Sequence, residues 1–145
     1  MRPSVIVGID PGVTTGVAVW DRAERVLTTV GSMNICAAME FVKSLHKGVG
    51  VEVWFEDAKQ RKWLGDADER QRRSGAGIRE GVGSVKRDCS IWREFCELHK
   101  IPYKAVKPAS GATKWTAEQF NLRTKWQGRT NSHGRDAACI VWGAA

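Results

Sequence analysis

Residues 5–20 read VIVGIDPGVTTGVAVW, an order of apolar, turn-forming and acidic residues that specifies a strand, a tight turn and a second strand. Val5, Ile6, Val7 and Ile9 form a nearly continuous β-branched run, the signature of a strand covered on both faces, here residues 4–10. Pro11 and Gly12 stop it, and the 13–16 segment turns the chain into strands at 16–21 and 25–31, an antiparallel meander. The first strand ends on Asp10. An unpaired carboxylate at the end of a buried strand is costly, so a cation is expected to face it.

Working outward, residues 34–47 carry Ile35, Met39, Val42 and Leu45 at helical spacing, with Gly48 and Gly50 as stop signals. Residues 51–57 form another strand, making the order β, β, β, α, β. Residues 78–100 are the longest helix candidate. Ile78, Val82, Val85, Cys89, Trp92 and Cys96 alternate spacings of four and three, while Ile91, Phe95 and Leu98 add a second apolar face. One face suits the sheet and the other a further element or protomer. Gly81 and Gly83 weaken its first turns and predict a later start. A short strand at 102–107, a helix at 113–126 capped by Thr113 or Thr116, and a helix at 133–145 capped by Asn131 or Ser132 complete the chain.

Between strand and long helix lies a segment of different character. Residues 59–79 hold seven basic side chains (Lys59, Arg61, Lys62, Arg70, Arg72, Arg73, Arg79) against three acidic ones. Its large apolar residues before Ile78 are Trp63 and Leu64 alone. This composition predicts a mobile basic loop at about 59–77 that orders on a partner. Trp63 among lysines and arginines is suited to stack on a base while the cations hold phosphates. Lys86, Lys107 and Lys114 extend the positive surface, the last two flanking the glycine of KPASGATK, a turn able to cradle a phosphate.

The bulk properties agree. A chain of 145 residues is read as a single domain, 1–145, with room for a substantial core. A net charge of +7 fits a polyanionic partner. No apolar run approaches the roughly 18 residues of a membrane span, and no signal peptide is evident. Cys36, Cys89, Cys96 and Cys139 have no zinc-ligand spacing and read as reduced, buried cysteines of a cytosolic protein. Asp21, Glu52, Asp88 and Glu94 read as solvated charges.

Two further acids and a histidine share the placement logic of Asp10. Glu56 lies near the end of the strand VEVWFE, on the same face as Trp54, and Asp10 shares its face with Ile6 and Gly8. If those strands are neighbours, both carboxylates reach one ion, and Asp136 can complete the set from the last helix. Three oxygen donors from separate segments suit Mg²⁺, or Mn²⁺, and two such ions about 4 Å apart activate water for phosphodiester hydrolysis. His133, three residues before Asp136 and on the same helix face, can ligate metal or deprotonate the attacking water.

In family order, GIDPGVTTGVAVW, VWFEDA, RRSGAGIREGVGSVKRD, PYKAVKPASGATKW and SHGRDAACIVWGA resemble the RuvC family of Holliday-junction resolvases, within the RNase H-like superfamily, in a phage-type form. The resemblance implies an α/β, RNase H-like fold with a five-stranded mixed sheet flanked by helices. It makes Asp10, Glu56 and Asp136 metal ligands for two Mg²⁺ or Mn²⁺ ions per active site, with His133 at a position held by aspartate or histidine. It places Trp63 at the junction centre and Lys107 and Lys114 on phosphates. The implied protein is a cytoplasmic homodimer, in a bacterial or phage-infected cell, that resolves four-way junctions or other branched DNA. The rival readings are an RNA-processing nuclease of the same fold and a non-catalytic binder of branched DNA. The two lobes of an actin-like ATPase do not fit this length.

Overall fold

The computed structural model describes residues 2–57, 76–107 and 114–145, with the backbone alone for 76–85. Strands β1 (Val5–Asp10), β2 (Thr14–Asp21) and β3 (Val26–Asn34) are followed by helix α1 (Ile35–Val49) and strand β4 (Val51–Glu56). Helix α2 (Ala76–Leu98), strand β5 (Tyr103–Val106), helix α3 (Ala117–Thr124) and helix α4 (Ser132–Val141) complete the described elements. The five strands form one sheet in the order β3-β2-β1-β4-β5. The meander pairs antiparallel, whereas β1 with β4 and β4 with β5 are parallel. This is the five-stranded mixed sheet that the resemblance implied, and it contains the antiparallel meander expected from the strand pattern.

Both faces of the sheet are covered, which explains why β1 carries so few polar residues. Val7 and Ile9 point with Val17, Val19, Val53 and Phe55 into a core closed by Ala38 and Val42 of α1 and Trp92, Phe95 and Cys96 of α2. The alternate residues, Ile6, Ala18, Trp20 and Trp54, pack with Phe120 of α3 and Ala137, Ala138 and Val141 of α4. Strand alternation therefore sends Asp10 and Glu56 toward the α4 layer.

Several boundaries and environments differ from the sequence reading. Helix α2 starts at Ala76 and runs through Gly81 and Gly83. Glycine costs about 1 kcal/mol per helical site, and the buried Trp92, Phe95 and Cys96 anchor this helix strongly enough to offset that. Residues 76 and 77, assigned to the basic loop, thus open the helix, and 58–75 lie outside the described residues. Phe95 joins Trp92 in the core, so the second apolar face reduces to the partly buried Ile91 and Leu98, which is 75% exposed. Helix α3 is shorter than expected because Thr116 forms a capping box with Gln119 and Lys125 adopts a left-handed conformation, φ 63°.

Cys36 and Cys139 are exposed, contrary to the buried reading, while Cys89 and Cys96 are buried. Burial raises the Cys96 thiol pKa to about 12. Nor is Glu52 a solvated charge: it accepts from Trp54 Nε1 at 2.6 Å and pairs with Arg22 at 3.4 Å. Asp88 is only 7% exposed, since α2 brings this stretch against the end of β4, where Cys89 Sγ donates to the Glu56 carbonyl. None of the described helices is long and apolar enough to cross a membrane.

Candidate active site

At the C-terminal end of β1 and β4 the sheet opens into a cavity of about 410 Å³ lined by Asp10, Glu56, Lys114, His133 and Asp136, together with Ser132, Cys89 and the 11–14 turn. The pairing of β1 with β4 carries Ile9 beside Phe55. The next residue on each strand is Asp10 and Glu56, so the two carboxylates leave adjacent strand ends on the same face. Thr15, fully buried, donates Oγ1 to the Gly12 carbonyl at 2.7 Å and holds the turn that borders the cavity.

The other two side chains arrive on α4, and close contact fixes its first turn. Asn131 caps the helix by accepting from Gly134 N at 2.8 Å, and its Nδ2 donates to Ser32 Oγ of β3 at 2.7 Å. Gly16 of β2 lies directly beneath His133, so a Cβ there would collide with the His133 carbonyl and Asp10 Cβ. Gly8 stands in the same relation to the Ala137 carbonyl, and a Cβ on Gly134 would meet Gly31 N at 2.8 Å. Alanine at Gly16 is therefore expected to lift α4 and destabilise the fold by about 1–3 kcal/mol, the range for overpacking. Urea denaturation measures the loss; an unchanged midpoint would mean the contact yields freely.

Among the described residues, one ion pair and one imidazole–carboxylate contact organise the cavity charges. Lys114 Nζ lies 3.1 Å from Asp136 Oδ2, and His133 Nδ1 lies 3.4 Å from Asp10 Oδ2. Burial, then the negative charge of Asp136, raise the Asp10 carboxyl above the ordinary aspartate range; Glu56 adds to this, and the His133 contact opposes it. Because the folded value is raised, folding favours neutral Asp10. That contribution is complete below the unfolded value of about 3.9 and is lost as pH rises through the folded one. In chelator-containing buffer, Asp10→Asn should therefore melt above the wild type at pH 7. The gap should close as pH falls toward about 4, and a pH-independent difference in thermal scans would contradict the cause given.

Among the described residues, no three His, Cys, Asp or Glu side chains form a ready-made metal shell. The donor chemistry nonetheless fits a hard divalent ion. Three carboxylates share one cavity with an imidazole, and the neighbouring acids already oppose ionisation of Asp10. Of the other side chains singled out for DNA, Lys86 and Lys107 are exposed and line no part of this cavity. Lys107 follows Val106, the partner of Glu56 on β5, and so sits at the same end of the sheet. Arg79 lies in α2 where the backbone alone is described, and Lys59, Arg61, Lys62, Trp63, Arg70, Arg72 and Arg73 lie outside the described residues. The sequence reading missed Cys89, Ser132 and the Asn131–Ser32 tie. For the α4 clamp, the sequence signal was glycine at 8, 16 and 134.

Sheet order and helix placement give an α/β fold of the kind found in a solved RuvC structure. Among solved structures, RuvC of T. thermophilus in complex with Holliday junction substrate superposes with a TM-score of 0.58. The alignment covers 94% of this chain and 90% of that one at 15% identity, a likeness of fold. No family profile matches the chain, and no curated protein sequence matches it.

Proposed function

We propose that this chain is a metal-dependent endonuclease that cuts four-way junctions or related branched DNA. The observation that carries the reading is the meeting of Asp10, Glu56 and Asp136, from three separate segments, around one cavity that His133 also enters. Asp10, Glu56 and Asp136 would hold two Mg²⁺ or Mn²⁺ ions. Bound there, such ions would lower the pKa of water and neutralise charge on the phosphodiester. The Nδ1 contact to Asp10 orients the His133 ring, which favours a general-base role, with Nε2 taking a proton from the attacking water. The water oxygen bonds to phosphorus, the P–O3′ bond breaks, and the departing O3′ takes a proton from a solvent water. The RuvC neighbour was solved with a Holliday junction substrate, which supports branched DNA as the ligand. The net charge of +7 supports a polyanionic one.

On this reading the single domain works as a homodimer in the cytoplasm of a bacterial or phage-infected cell, with one cut per protomer. The exposed Leu98 and partly buried Ile91 of α2 would contribute to the contact between copies. Incubating the protein with a synthetic four-way junction, a linear duplex and unbranched RNA, with and without Mg²⁺ or Mn²⁺, tests the function. Junction cleavage only with the ion supports it. Equal or faster cutting of RNA moves the assignment to RNA processing, and binding with no cutting leaves a junction-binding protein. With about six phosphates contacted, junction affinity should fall about a thousandfold between roughly 50 and 200 mM salt. A flat salt dependence in gel shifts would remove the basic surface from the binding account.

A further inference from the structure

Lys114 combines a fixed root with a loose tip. Thr116, two residues on, is locked in the capping box of α3. Between them Trp115 packs edge-on against Trp142 at 5.5 Å and against Phe120 at 6.4 Å, with Arg123 5.1 Å above its ring. The Lys114 side chain is 79% exposed, yet its Nζ reaches 3.1 Å from Asp136 Oδ2, and both residues line the cavity of carboxylates. A solvent-exposed lysine–carboxylate pair is weak and readily exchanged. It is also the contact a divalent ion would have to share or displace to use Asp136.

We propose that Lys114 is a built-in competitor of the divalent ion for Asp136 and that a DNA phosphate draws it away, coupling metal binding to substrate binding. The inference rests on the metal-dependent reading above and deepens it. With no phosphate present, the ammonium group neutralises Asp136 and weakens ion binding. A backbone phosphate entering the cavity mouth is an alternative partner for the same ammonium group. Once Lys114 turns to it, Asp136 regains its full charge for the ion. By linkage the ion must favour phosphate binding by the same factor. Lys114 is thus a positioning residue that biases Asp136 against the ion until substrate arrives.

Mn²⁺ binding to the DNA-free protein, followed by the spin-resonance signal of free Mn²⁺, tests this without measuring cleavage. Lys114→Met should bind Mn²⁺ about three- to fivefold more tightly than wild type, the scale of an exposed ion pair. Lys114→Arg should stay near wild type. Lys107→Met, which removes an equal charge outside the cavity, should change the affinity much less. In an Asp136→Asn background the gain from Lys114→Met should vanish, since the cycle isolates the pair. Equal affinities for wild type and Lys114→Met, or an equal gain from Lys107→Met, would overturn the competition. Asp10→Asn separates the two failures: if it leaves Mn²⁺ binding unchanged, the cavity is no metal site and the nuclease reading fails as well.

Discussion

Asparagine at position 10 is expected to lower junction cleavage at least about a thousandfold while junction binding is kept or strengthened. The substitution preserves the size of the side chain and an oxygen facing His133 Nδ1, so α4 keeps its seat. What it removes is the negative charge that would hold the ion at the end of β1, and with it the acidified water that such an ion would supply. One fewer negative charge beside the DNA phosphates should, if anything, improve binding. Single-turnover cleavage and gel-shift measurements on the same preparation separate the two effects. An unchanged cleavage rate would exclude Asp10 from the reaction.

The largest effect on stability is expected at Trp92. It is fully buried between α2 and the sheet, with Phe95 edge-on at 5.5 Å. Trp92→Ala should cost about 3–5 kcal/mol, the range for an aromatic side chain emptied from a packed core. That is a large share of the 5–15 kcal/mol typical of a whole domain. The indole Nε1 has no hydrogen-bond partner among the described residues. Phenylalanine therefore forfeits packing volume but no hydrogen bond, and should cost less than half as much. Chemical denaturation of the two variants checks the ratio. Equal losses would mean the indole makes a polar contact of its own.

The strand alternation of β1 and β4 was legible in the sequence because side-chain direction in a strand follows a period of two. Ile6 and Gly8 set the face of Asp10, and Trp54 that of Glu56, without knowledge of any neighbour. Helix α4 was legible from its cap and small apolar residues, although its end at Val141 was not. The burial of Asp88 and the pairing of Glu52 were missed for a different reason. Each looks like a surface charge locally, and its environment is set by residues distant in sequence, such as Arg22 beside Glu52. Cys36 and Cys139 failed in the opposite sense: each sits in an apolar stretch, but on the outer side of its helix.

By itself the sequence determined which ionisable side chains stand at positions 10, 56, 133 and 136 and the face each strand residue takes, because both follow from residue type and local periodicity. Only the tertiary structure decided that β1 lies beside β4, that Gly16 brings α4 down onto β2, and that Lys114 rests on Asp136. These are contacts between segments far apart in the chain. Which of them form is set by packing of the whole core, and no short window of residues contains that information.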